Sequence, residues 1–171
     1  GNLCFGNRNG TLTVYDVKSR RFITYTLLVD GIIYTSDIWA IYIDAEGVIW
    51  VGTEKGLLLF EPKKRMCKRL PVEQKRDKKA LAIRSIAVTK DGGIWLGTSN
   101  QGVCRVSVSA SGEISAKSGY EQKANVKNHS VRSLLASTDG NLYVGYMDGF
   151  AILSPQQDSI REFYTTADGL C

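Results

Sequence analysis

Ile49-Trp50-Val51 and Ile94-Trp95-Leu96 are apolar at successive positions, and each run lies between a turn rich in Asp and Gly and a polar turn closed by Gly56 or Gly102. Such runs predict strands covered on both faces. A further strand is predicted before each of them, over Ile38 to Asp44, Ile83 to Thr89 and, in a later copy, Val131 to Ser137. By contrast, Arg21-Phe22-Ile23-Thr24-Tyr25 and Glu162-Phe163-Tyr164-Thr165 alternate in the manner of strands with one wet face. Asp91-Gly92-Gly93 and Asp139-Gly140-Asn141 supply the residues that tolerate positive φ in the intervening turns. Helical periodicity of useful length is absent.

The whole pattern recurs. GNLCFGNRNGTLTVYD from Gly1, GVIWVGTEKGLLLFEP from Gly47, GIWLGTSNQGVCRVS from Gly93 and GNLYVGYMDGFAILSP from Gly140 align on Gly6, Gly52, Gly97 and Gly145, at spacings of 46, 45 and 48 residues. Repeats of this length with four antiparallel strands each predict an all-β fold made of β-propeller blades. Leucine-rich horseshoes and helical solenoids are excluded by the missing Leu-x-x-Leu-x-Leu phrases and helices. The units are an incomplete blade over 1–33 and blades over 34–79, 80–126 and 127–171, about four in one partial propeller spanning 1–171. The expected inventory is the last three strands of one blade followed by three complete blades. The chain stops at Cys171, where another first strand is expected. A ring needs about 4 to 8 blades, so the sequence reads as part of a larger propeller, or as one whose open end pairs with a second copy in a homodimer.

Composition narrows the function classes. With 43% hydrophobic and 23% charged residues among 171, the chain can build a globular core. No apolar run approaches the ~18 residues of a spanning helix. Cys4, Cys67, Cys104 and Cys171 show no CxxC spacing, so neither zinc nor a redox dithiol is indicated. The net charge of +5 is local: nine bases fall between Lys63 and Lys79 against Glu73 and Asp77, and elsewhere acids slightly outnumber bases. A uniformly basic face is therefore excluded, and with it a nucleic-acid partner through this segment. The basic run fits a solvated loop, or a contact with an anionic glycan or a membrane surface.

Residues repeated in every unit serve the architecture. Trp50 and Trp95 are expected to pack between sheets, and Thr53 and Thr98 to hydrogen-bond the turn that follows them. Positions that recur in place but vary in chemistry are the functional candidates. The start of the first strand and the turn between the second and third strands fall at one end of an up-and-down blade. That end collects Trp39, Arg84 and Arg132 from the first strands, and Lys55, Asn100 and Tyr146 from the turns, beside Glu54, Gln101, Met147 and Asp148. An aromatic ring among guanidiniums, an amide and a phenol suits an oligosaccharide or another small ligand: the ring stacks on a pyranose face and the forked donors take hydroxyls or a carboxylate. Solvated loop residues are the alternative. His129 is the sole histidine and has no motif-placed nucleophile beside it; no catalytic residue, metal ligand or cofactor is assigned. Asp37, Asp44, Glu46, Glu54 and Asp148 include no glycosidase pair that spacing can identify.

Gly47-Val48-Ile49-Trp50-Val51-Gly52-Thr53, Gly93-Ile94-Trp95-Leu96-Gly97-Thr98 and Tyr164-Thr165-Thr166-Ala167-Asp168-Gly169-Leu170 together resemble the two-component regulator propeller repeat. The resemblance covers nearly the whole chain in four copies. It departs from the pattern at Cys4-Phe5-Gly6-Asn7, and at Tyr143 and Tyr146 in place of Trp and Thr. It implies the periplasmic sensor region of an inner-membrane hybrid two-component histidine kinase, without enzymatic activity of its own. The implied partners are glycan-derived oligosaccharides and the neighbouring blades of the parent protein. The rival readings are a propeller enzyme, a glycan hydrolase or lyase, and a protein-interaction scaffold.

Overall fold

A computed structural model describes residues 2–70, 72, 80–108, 114–121 and 126–170. Residues 71 and 73–79 of the basic run, and Cys171, lie outside the described residues. The first sheet is β1 (Leu3–Gly6), β2 (Thr11–Asp16) and β3 (Arg21–Thr26), in that order. A small hairpin, β4 (Leu28–Val29) and β5 (Ile32–Ile33), follows it. Three antiparallel four-stranded sheets come next, each in chain order. They are β6 (Ile38–Ile43) to β9 (Met66–Leu70) through β7 (Ile49–Thr53) and β8 (Gly56–Glu61); β10 (Ile83–Val88) to β13 (Ile114–Lys117) through β11 (Ile94–Thr98) and β12 (Val103–Val108); and β14 (Val131–Ala136) to β17 (Ser159–Tyr164) through β15 (Leu142–Tyr146) and β16 (Phe150–Ser154). The expected three strands plus three sets of four are all present. The hairpin and a 3-10 turn at Thr166–Asp168 were not expected.

Each of the first three sheets lays one face against the next sheet, the face that bears Trp50 in the second and Trp95 in the third. Cys4, Leu12, Val14 and Tyr25 meet Ile49, Val51, Leu58 and Phe60; Trp50, Leu57 and Leu70 meet Ile83, Leu96, Cys104 and Val106; Ala87, Trp95 and Val103 meet Val131, Leu142, Val144 and Leu153. The first strand β10 contacts both β6 and β14, the first strands of its neighbours, which makes the three the inner strands of a propeller sector. Side chains in these interfaces are close-packed, and so the strands between blades are apolar on both faces.

The repeated glycine has a steric cause. A Cβ at Gly52 would lie 2.8 Å from Cγ2 of Ile83, and one at Gly97 would lie 2.5 Å from Cγ1 of Val131 and would also meet Ser85 Oγ of its own sheet. Ile38 crowds Gly6 in the same way. The first residue of each inner strand thus seats in a notch left by the glycine of the preceding blade. At Gly145 the notch is approached by Ser133 of its own sheet.

The other repeated residues close turns. Thr53 Oγ1 donates to the carbonyl of Gly56 and Thr98 Oγ1 to that of Gly102, both at 2.8 Å. The second-strand aromatics reach back to the preceding turn: Trp50 Nε1 donates to Asp44 at 3.0 Å, Trp95 Nε1 to Thr89 Oγ1 at 3.2 Å, and Tyr143 Oη to Asp139 at 2.9 Å. Tyr143 keeps the donor that Trp supplies elsewhere. In the phrase around Asp168, the Thr165 hydroxyl accepts from Ala167 N and the Asp168 carboxylate accepts from Thr165 N, a capping box closed by Gly169 at φ 90.

Trp95 is fully buried, so Trp95→Ala is expected to cost about 3–5 kcal/mol in urea unfolding, and Gly97→Ala about 1–3 kcal/mol by overpacking Val131 and Ser85. A loss below half a kilocalorie for Gly97→Ala would refute the notch. The backbone amide of Asn141, then its side chain and the Tyr143 hydroxyl, hold the Asp139 carboxyl down from 3.8 to about 2. A depressed folded value means that its stabilisation is complete above the ordinary value of 3.8 and is lost as pH falls through about 2. Asp139→Asn should accordingly flatten the acid limb of a thermal-melting series between those pH values.

Candidate functional site

Seating Ile38, Ile83 or Val131 in the preceding blade pulls the start of the inner strand out of step with its own sheet. Ile38 pairs with Thr53 and Ala40 with Gly52, so Trp39 is an extra residue without a cross-strand partner. The same irregularity leaves out Arg84, between the pairs Ile83–Thr98 and Ser85–Gly97. It also leaves out Arg132, between Val131–Tyr146 and Ser133–Gly145. Each candidate from the inner strands is therefore the bulged residue of a β-bulge, a device that re-aims one side chain. The pairings also fix all three bulges at the end of the blade where the second strand turns into the third.

These side chains are not equivalent in their surroundings. The Arg84 guanidinium lies 3.6 Å from the centroid of the Trp39 ring, and its Nε donates to Ser99 Oγ at 3.0 Å. One face of the indole is thus occupied by a cation from the next blade, and the pair forms a single half-buried unit. A sugar stacking on Trp39 would use the opposite face. Arg132 is exposed, and its guanidinium approaches the Met147 sulfur at 3.2 Å. Lys55 and Asn100 are exposed on the turns of their blades.

Tyr146 does not join them. It is buried, and its hydroxyl donates to the buried carboxylate of Glu121 at 2.8 Å, which also accepts from Val103 N at 2.6 Å. Burial, reinforced by that carboxylate, pushes the Tyr146 phenol far above its ordinary value. The reason is register. Tyr146 stands where Thr53 and Thr98 stand in their blades, with its side chain turned into the interface; Met147 and Asp148 are the exposed residues of that turn. The phenol therefore belongs to blade packing, and the accessible set is Trp39, Arg84, Arg132, Lys55 and Asn100.

Other chemistry is weakly represented. His129 Nε2 lies 3.0 Å from the Val126 carbonyl, within its own loop. Burial pushes the Cys67 thiol up to about 11, which disfavours the reactive thiolate. No group of three or more His, Cys, Asp or Glu poised for a metal occurs among the described residues. One feature at the same end went unread in the sequence: a cleft of about 320 Å³ between the β4–β5 hairpin and the side chains of Lys55 and Arg69. The signal was Asp30-Gly31 between Leu28-Val29 and Ile32-Ile33, a hairpin phrase that blade counting absorbed into an ordinary connection.

Comparison with known proteins places this geometry. No curated protein matches the chain. The extracellular domains of two hybrid two component systems of B. thetaiotaomicron superpose with TM-scores of 0.73 and 0.71. They share 21% and 22% identity with the chain and cover 94% and 96% of it, against 20% and 23% of their own lengths. The chain thus spans about a fifth of those structures. A virginiamycin B lyase from Staphylococcus aureus is similar as well, with a TM-score of 0.68 at 13% identity over 92% of this chain and 49% of that one. At such identities the likeness is one of fold, shared between sensor domains and an enzyme. The family model described as two component regulator propeller matches residues 35–55 and 79–100, segments that each include an inner strand, its bulge and the second strand as far as the following turn. The chain is therefore a partial β-propeller, two segments of which match the two component regulator propeller model.

Proposed function

We propose that this chain is a ligand-sensing propeller segment of a membrane-bound hybrid two-component sensor histidine kinase, lying on the periplasmic side and responding to a glycan-derived oligosaccharide. The observation that carries the reading is the repeated bulge. Three blades spend the same backbone irregularity on aiming residues of different chemistry, Trp39, Arg84 and Arg132, at one end of the sector. A purely architectural residue would be the same in each blade, as the glycine notch is. The likeness to extracellular domains of hybrid two component systems supports the sensor over the enzyme.

In this reading the segment performs no chemistry. Arg84 holds one face of the Trp39 indole and fixes its orientation, leaving the other face for a pyranose, while Arg132 and Asn100 offer donors and an acceptor to hydroxyl groups. A ligand bridging these groups spans three blades. It can therefore favour one arrangement of the sensor over another, and only through that difference in affinity can it shift the kinase equilibrium.

Calorimetry of the sensor protein with a panel of glycan oligosaccharides tests this. Trp39→Ala and Arg132→Ala should each weaken binding of the recognised sugar about tenfold, equivalent to about 1.4 kcal/mol, while melting temperature moves by no more than a few degrees. Hydrolysis or lyase turnover of a sugar by the wild-type chain, with no saturable binding by an inactive state, would favour the enzyme instead.

A further inference from the structure

The connection between the first two sheets does more than cross from one blade to the next. Leu27, Val29 and Tyr34 are buried in the core between those sheets, and Tyr34 N donates to the Leu27 carbonyl at 2.8 Å, which closes the base of the hairpin. Asp30 at φ 52 and Gly31 at φ 78 make the tight turn at its tip. The hairpin is thus rooted in the core, yet it holds Ile32 and Ile33 72% and 59% exposed. Two adjacent β-branched aliphatics in water on a well-anchored element are not required by the blade, because the connection after β17 uses a 3-10 turn at the corresponding place.

Facing the isoleucines across the cleft are two cations from the next blade. Arg69 Nη1 donates to the Lys55 carbonyl at 3.1 Å, and the guanidinium sits 5.9 Å from the centroid of the Tyr34 ring. That ring is itself fixed by its hydroxyl, 2.5 Å from Thr53 Oγ1. Arg69 is therefore positioned by two contacts, neither of them to an acid. Among the described residues neither Lys55 nor Arg69 takes part in an ion pair. Among the described residues that line the cleft, Asp30 at the hairpin tip is the one acid. The cleft of about 320 Å³ is large enough for a single ring with its substituents.

We propose that this cleft binds a small anion carried on an apolar body: an aryl or alicyclic carboxylate, sulfate or phosphate. Ile32, Ile33 and Tyr34 cover the body. Arg69 and Lys55 take the head, through the forked donors of the guanidinium and the point charge of the ammonium. Neither half of the cleft suffices alone, since a bare inorganic anion leaves the isoleucines in water and a neutral ring makes no use of the two cations. The site needs neither Trp39 nor Arg132, so it goes beyond the sensing role proposed above and stands or falls separately.

Titration of the full chain with 4-nitrophenyl sulfate, 4-nitrobenzoate and 4-nitrophenyl phosphate, followed by calorimetry, tests the proposal and identifies the preferred head. Saturable binding of at least one of them is expected. Methyl sulfate, which lacks the ring, and 4-nitroanisole, which lacks the charge, should each bind at least about tenfold more weakly. Lys55→Ala and Ile33→Ser, both at exposed side chains, should each reduce affinity by about threefold to tenfold with an unchanged melting temperature, and Trp39→Ala should leave it as it is. The proposal is overturned if none of the three anions binds at millimolar concentration, if 4-nitroanisole binds equally well, or if the Lys55→Ala, Ile33→Ser double variant binds like the wild type.

Discussion

A β-branched side chain pressed onto a glycine of the neighbouring blade organises this protein. Ile38 on Gly6, Ile83 on Gly52 and Val131 on Gly97 bring the inner strands close enough for one face of a sheet to close over the apolar face of the next. The same contact displaces the strand from its own ladder. The bulge at Trp39, Arg84 and Arg132 follows from satisfying two partners at once, the preceding blade and the strand's own sheet. Interface and candidate site therefore share one cause: the packing that builds the sector also frees one residue per blade from structural duty.

Around that contact, the repeated polar residues act locally. Thr53 and Thr98 satisfy the carbonyls that end the second-to-third turn, and Trp50, Trp95 and Tyr143 tie their strands to the turn before them. Buried N–H groups are costly when unpaired, so the indoles of Trp50 and Trp95 are each placed with a partner for the polar edge. The change from Trp to Tyr in the last blade preserves this, with Asp139 as the acceptor. Tyr146 makes the opposite change of size, replacing a small hydroxyl with a phenol that reaches Glu121 across the interface.

Much of the fold was legible in the sequence because its determinants are local and repeated. Apolar runs, Asp-Gly turns and the 45–48-residue spacing mark the blades, and the packing role of Trp50 and Trp95 follows from their recurrence. The site was legible only as a set of positions. Register is a relation between two strands, so a residue that slips out of the ladder leaves no mark on the pattern of either strand alone. Hence Trp39, Arg84 and Arg132 could be placed at one end but not seen as bulged, and the stacking of Arg84 on Trp39 could not be seen at all. Tyr146 was misplaced for a related reason: a turn residue was taken as outward, whereas its strand pairing with Val131 turns it inward. The hairpin at Leu28–Ile33 was hidden because a count of blade strands has no place for an insertion.

The notch and its plug lie on opposite sides of the same unit: a blade carries a glycine for its successor and a branched side chain for its predecessor. Duplicating such a unit copies both halves of the joint, so a new neighbour fits on arrival and no fresh interface has to evolve. The bulged position is inherited along with the joint but is not constrained by it. Lengthening the array thus multiplies freely variable recognition positions, already aligned along a common rim, and divergence in what is bound can proceed without renegotiating how the blades hold together.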